Sequence, residues 1–100
     1  LRLAQQLSID EQKTHLVEFY PTNSPPSYQI LRQEETGPLT LKIIYVEGRI
    51  SYSPEPVLAE GVSFNFEGVP SASGQISFTN EKGQSKDVEI SPAGQIKMVR

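Results

Sequence analysis

Along the last forty residues apolar side chains fall at every second position: Val62, Phe64 and Phe66, then Ile76 and Phe78, then Val88 and Ile90, then Ile96 and Met98. Polar residues stand between them. A period of two turns one face inward and the other to water, so Val62 to Arg100 predicts four short strands in a β-meander. Ser91-Pro92-Ala93-Gly94 supplies the last turn: Ser suits the first position of a type I turn, Pro presets the second, and Gly suits the fourth.

The first half reads differently. From Leu1 to about Lys13 there is no Gly or Pro, and Leu, Ala, Gln, Glu and Lys dominate, which predicts a helix. Leu3 and Leu7 stack one turn apart with Ala4 beside them, but the stripe then runs into Asp10, Glu11 and Thr14. This is the pattern of a helix end whose main support lies elsewhere. Leu16, Val17, Phe19 and Tyr20 predict a strand, stopped by Pro21-Thr22-Asn23-Ser24-Pro25-Pro26. A second strand from Ser27 to Gln33, through Tyr28, Ile30 and Leu31, completes an antiparallel hairpin. Leu39, Leu41, Ile43 and Tyr45 alternate next, and Glu47-Gly48 is expected to turn the chain into Arg49 to Tyr52. Pro54 and Pro56 bound a loop that runs to Gly61.

The order, helix first and then six to eight short strands, predicts an α+β fold: one N-terminal helix packed on antiparallel sheet and ending in a C-terminal β-hairpin. A chain of 100 residues makes one domain, because it buries only roughly two thirds of its unfolded surface. Within it, residues 1–13 are the helix and 14–100 the β-rich head. A hydrophobic content of 36% with 21% charged residues is that of a folded chain rather than a disordered one. No run approaches the roughly eighteen apolar residues that span a bilayer. Starting at Leu1 without a Met, the sequence is expected to be a piece of something longer.

Charge and residue types narrow the chemistry. A net charge of -3 and a pI near 5.1 argue against a dedicated nucleic-acid binder, whose affinity comes mostly from clustered Lys and Arg. There is no Cys, hence no disulfide, thiolate metal site or Cys nucleophile. The only histidine, His15, stands at the junction of helix and first strand, where a solvated or interface side chain is expected. No G-x-S-x-G, Gly-rich phosphate loop or H-E-x-x-H occurs. Glu34-Glu35 and the pair Asp87 and Glu89 are the densest carboxylates, and alternation puts Asp87 and Glu89 on the solvated face. No enzymatic activity, cofactor or metal is expected. Lys97 and Arg100 on the final strand, with Lys86 on its neighbour, form a small basic spot for partner or nucleic-acid contact. Tyr20, Tyr28, Tyr45 and Tyr52 offer the rival reading of an adhesive or carbohydrate-binding β-sandwich with a stacking platform.

Gly61-Val62-Ser63-Phe64-Asn65-Phe66-Glu67-Gly68, then Ser73-Gly74-Gln75-Ile76-Ser77-Phe78, then Val88 to Lys97 resembles the C-terminal half of the GspH/FimT family. These are minor pseudopilins of type II secretion and minor pilins of type IV pili, competence pilins among them. The likeness covers about forty residues and extends more loosely to most of the chain. It implies a non-catalytic filament subunit whose long N-terminal helix begins as a membrane anchor, leaving Leu1 to about Lys13 as its amphipathic remainder. It also implies a head outside the cytoplasm, in the periplasm or at the cell surface. Its partners would be other pilin or pseudopilin subunits and secreted cargo, with the membrane reached only through the anchor. Where DNA-binding members carry Arg after the hairpin Gly this chain has Gln95, and Lys97 stands for the second Arg. That departure shifts weight from DNA uptake to assembly.

Overall fold

The β-branched and aromatic run His15–Tyr20 forms strand β1, and the Pro-bounded loop returns the chain into β2, Ser27–Glu34. In this computed structural model, which describes residues 1–46 and 49–99, the two strands pair antiparallel, Val17 opposite Ile30 and Phe19 opposite Tyr28. Strand β3, Gly37–Tyr45, adds to the far side of β2. The chain then crosses to a second sheet for β4, Ser51–Pro54, makes a 3-10 turn at Pro56–Leu58, and returns to lay β5, Val62–Phe64, beside β1. Strands β6 (Gly74–Thr79), β7 (Ser85–Ile90) and β8 (Ile96–Val99) complete the second sheet. The two four-stranded antiparallel sheets have orders β3-β2-β1-β5 and β4-β6-β7-β8.

Alternation decides what each strand buries. Val17, Ile30, Val62 and Phe64 from the first sheet join Tyr52, Ile76 and Ile90 from the second, with Leu58 of the 3-10 turn, in one core. Helix α1, Arg2–Glu11, adds Ala4 to it and buries Ser8, whose Oγ lies 3.0 Å from the Ala4 carbonyl and 3.1 Å from that of Phe64. The small side chains at these two positions let the helix approach β5 closely. The helix also reaches the second sheet. Gln5 Nε2 donates to the carbonyls of Gly68 and Gly94 at 2.9 and 2.6 Å, and Arg2 donates to that of Ile96 at 2.7 Å. Gly94 is required there: its φ is +93°, and a Cβ would sit 2.9 Å from the Gly68 carbonyl oxygen. The helix ends where Gln12 turns left-handed, φ 55°.

Three expectations are corrected. The fold class is not α+β, although the one helix does pack on the sheets as expected. It is mainly β, with 48% strand among the described residues against one short helix, and β7 and β8 are the last two members of a four-stranded sheet. The physical reason is the double crossing by β4 and β5, which splits the strands into two layers and leaves the helix a closing role. Second, the stripe Leu39, Leu41, Ile43 and Tyr45 does not pack inward; these side chains are 37–58% exposed. Strand β3 is an edge, and the β2–β3 register shifts between Ile30 and Leu31, which pair with Lys42 and Thr40 and leave Leu41 as a bulge. Third, Phe66 and Met98 are exposed because β5 stops at Phe64 and β8 is an edge. The turn expected at Glu47-Gly48 lies outside the described residues.

Gly61 is the tightest backbone contact beside the core. Its φ is +111°, and a Cβ would lie 2.7 Å from the Val17 carbonyl oxygen in the middle of β1. Gly61→Ala is therefore expected to cost about 1–3 kcal/mol through backbone strain and displacement of β5. Urea unfolding of the variant against the parent chain checks it, and an unchanged midpoint would contradict this placement of β5.

Candidate functional site

Lys86 and Lys97, two of the basic residues singled out in the sequence, stand on opposite faces of the second sheet. Pairing of Ile90 with Ile96 fixes the register, so Lys97 stands opposite Glu89 on the outer face of the second sheet. Lys86 stands opposite Phe78 on the same face as Val88 and Ile90. The two ammonium groups thus belong to opposite faces, and the carboxylate of Glu89 stands across from one of them. Arg100 lies outside the described residues. Phosphate binding needs several cations on one surface. The expected result is that the 100-residue domain gives no gel shift with duplex DNA at moderate salt and that Lys97→Ala changes nothing; a shift lost in Lys97→Ala would overturn it.

Of the four tyrosines, Tyr52 is withdrawn from the surface. Tyr52 is a core residue, its ring edge-on to Phe19 with centroids 6.2 Å apart and stacked on Phe78 at 5.6 Å. Its hydroxyl donates to the Ser27 carbonyl and accepts the Tyr20 backbone N–H at 2.9 Å, tying β4 to the first sheet. Burial raises its pKa first, and the neighbouring Tyr28 adds to this, against the lowering effect of the Tyr20 N–H. Tyr20 and Tyr45 flank the buried Ser27 across three adjacent strands.

What the fold does build is an apolar groove of 540 Å³ where the sheets splay apart beside the start of α1. Leu1 and Leu3 form one wall, Phe19 and Tyr28 come from the first sheet, and Phe78 and Ile96 from the second. Its polar groups are few. The Tyr28 hydroxyl has its pKa raised by burial, and Arg2 and Lys97 also border the groove.

At the other end of α1 the helix is fastened by charge. Glu11 lies 2.8 Å from the His15 ring and 3.3 Å from the Arg32 guanidinium. Arg32 also pairs with Glu34, which accepts from Lys13 Nζ at 2.9 Å. Partial burial pushes the Glu11 carboxyl up, but the hydrogen bonds from His15 and Arg32 outweigh it and hold it below the usual range. Hydrogen bonds from Lys13 and Arg32 hold Glu34 below that range too. A carboxylate with a depressed folded-state pKa adds stability above its unfolded value, and that stability is lost as the pH falls through the folded value. The expected urea midpoint therefore drops below about pH 4.5, near the ordinary glutamate value, and Glu34→Gln flattens that drop. An equally steep acid profile in the variant would contradict the assignment.

His15 itself was expected at a solvated or interface position. It is buried completely under α1, opposite Arg32 on one side and Phe64 on the other. The signal that could have placed it is the Glu11-x-x-x-His15 spacing. The Asp87 and Glu89 carboxylates share the outer face of β7, and Glu34 is engaged by Arg32 and Lys13. Among the described residues no group of three His, Asp or Glu side chains is placed to hold a metal ion, and no helix is long and apolar enough to cross a membrane.

Comparison with known proteins gives no match: no family model, no curated protein and no solved structure matches the chain.

Proposed function

We propose that this chain is the head of a minor pilin or pseudopilin, a subunit of a type II secretion or type IV pilus filament that works by contact rather than catalysis. In this reading an apolar segment continuing α1 anchors the protein in the cytoplasmic membrane as a single span, and the head stands outside the cytoplasm. The observation that carries it is the junction of groove and helix start. Leu1 and Leu3 line an apolar groove that further turns of an apolar helix would cover. The resemblance of Gly61 to Lys97 to GspH/FimT sequences supports the same reading.

A helix so placed transmits force to both layers, since α1 is bonded to Phe64 of the first sheet and to Gly94 and Ile96 of the second. Filament assembly would come from helix packing in the filament core. The head would add specificity for neighbours or cargo through the loops at 21–26 and 53–60. The test is the coding sequence upstream of Leu1. An apolar run of about twenty residues, preceded by a Gly-Phe-type processing site, is the expected result. A catalytic domain, or a leader with a secretory cleavage site, would contradict the proposal and favour a detached binding module.

A further inference from the structure

Strands β3, β5, β4 and β8 end the two sheets, and three of them are closed to further pairing in the ways soluble proteins close an edge. Strand β5 has three residues and is continued by the Phe64–Pro70 bridge and the bond from Ser71 N–H to the Ser63 carbonyl. Strand β4 has four and ends on Pro54, and β8 has four with Lys97 among them. Strand β3 differs. It has nine residues, Lys42 is its one charge, and Leu39, Leu41, Ile43 and Tyr45 are exposed along it.

Backbone alternation fixes which groups that edge presents. Val46 N–H donates to the Pro26 carbonyl at 2.8 Å, so the N–H and C=O of Val46, Ile44 and Lys42 turn toward β2. Those of Ile43 and Tyr45 turn outward, and among the described residues none bonds to them. Their side chains share the face opposite Ile44, which packs against the core. On that face β2 sets Ser27 beside Tyr45 and Gln29 beside Ile43, both uncharged. The apolar groove opens on the other side of this sheet, where Tyr28 stands opposite Ile44.

We propose that β3 is a self-association edge: a second copy of this chain adds its own β3 antiparallel across a twofold axis, joining two first sheets into one. The strand fits itself. Pro38 has no N–H to give and Leu41 is the bulge, so regular pairing is confined to residues 41–45. An antiparallel overlap of that stretch with its copy is centred on Ile43. Ile43 then meets the partner's Ile43, Tyr45 meets the partner's Leu41, and Lys42 falls opposite the partner's Ile44. Pairs of aliphatic and aromatic side chains stabilise a ladder, and the outward backbone groups of Ile43 and Tyr45 are used across the axis. A register centred on Lys42 sets two ammonium groups face to face and is disfavoured. The 41–45 stretch offers a foreign strand one cation to recognise, whereas its copy matches it along the whole overlap. The patch is small beside the roughly 800 Å² that each partner of a standard interface buries, so the dimer is of the weak, concentration-dependent class. The inference is independent of the filament reading, since it uses neither the start of α1 nor the groove.

The experiment is sedimentation equilibrium of the 100-residue chain from about 10 μM to about 1 mM, with backbone amide exchange followed by NMR at both ends of that range. The expected result is a mass that rises toward that of a dimer. The amides of Ile43 and Tyr45 exchange severalfold more slowly at the high concentration, while that of Ile44, already bonded to β2, is unchanged. Ile43→Lys places two ammonium groups on the axis at an exposed site and is expected to stay monomeric throughout. Val57→Lys, the same change at an exposed apolar residue of the 3-10 turn, is expected to associate as the parent does. A parent that stays monomeric at the top of the range would overturn the proposal. So would association that survives Ile43→Lys, association lost equally in Val57→Lys, or dimers in which the Ile43 and Tyr45 amides gain no protection. Should Ile43→Lys fail to fold, the amide pattern of the parent decides alone.

Discussion

Phe64→Ala is expected to destabilise the protein by about 3–5 kcal/mol, most of the stability a small domain possesses. Phe64 is the largest of the fully buried side chains, and it sits where three parts of the structure meet. It is on β5, opposite His15 of β1, and its carbonyl is within hydrogen-bond reach of Ser8 on the helix. Truncation opens a cavity bounded by α1 and both sheets, and the wall with Ala4 and Ser8 is too small to collapse into it. Urea denaturation with unchanged m-value should show the midpoint fall accordingly. A loss under about 1 kcal/mol would be the effect of an ordinary surface site and would contradict the burial of β5 beneath the helix.

Tyr52→Ala is expected to cost a comparable amount, about 3–5 kcal/mol, the range for removing a buried aromatic ring. It acts at the opposite side of the core. The ring packs on Phe19 of the first sheet and Phe78 of the second, and its hydroxyl joins the Tyr20 N–H and the Ser27 carbonyl. Tyr52→Phe separates the two contributions. It keeps the ring and orphans a backbone donor and acceptor, at roughly 1–3 kcal/mol for each group left buried without a partner. The two variants measured side by side should therefore rank Ala as more destabilising than Phe, with both clearly below the parent. A neutral Tyr52→Phe would mean that the hydroxyl does not bridge the sheets.

The strands themselves were legible because alternation is a local signal: Val62, Phe64, Ile76, Ile90, Val17 and Ile30 all point inward as their spacing requires. Which strand joins which sheet was not. That depends on β4 and β5 crossing between layers, and nothing in Arg49 to Gly61 states that Tyr52 belongs with Phe78 while Val62 belongs with Val17. Leu39 to Tyr45 shows the same limit from the other side. Its apolar spacing is strand-like, yet whether that face is covered depends on a bulge opposite Ile30 and on the absence of a neighbouring strand beyond β3.

The candidate site was read less fully than the strands. Opposite faces for Lys86 and Lys97 follow from the Ile90 to Ile96 pairing, a matter of register that residue types alone leave open. The burial of His15 depends on Arg32 and Phe64 arriving beside it from two other strands. The apolar groove is a gap between layers, and it became definable only once two sheets and the end of α1 had been placed around it.

The filament reading of this head depends on α1 being part of the folded unit and not an appendage. Hydrogen exchange under native conditions measures that directly, by the opening free energy of the α1 amides from Gln6 to Glu11 compared with those of β1 and β2. The account predicts that both sets open together at the global unfolding free energy, because Ser8, Gln5 and Glu11 bind the helix to both layers. Exchange of the helix through a separate, low-energy opening while β1 stays protected would contradict it.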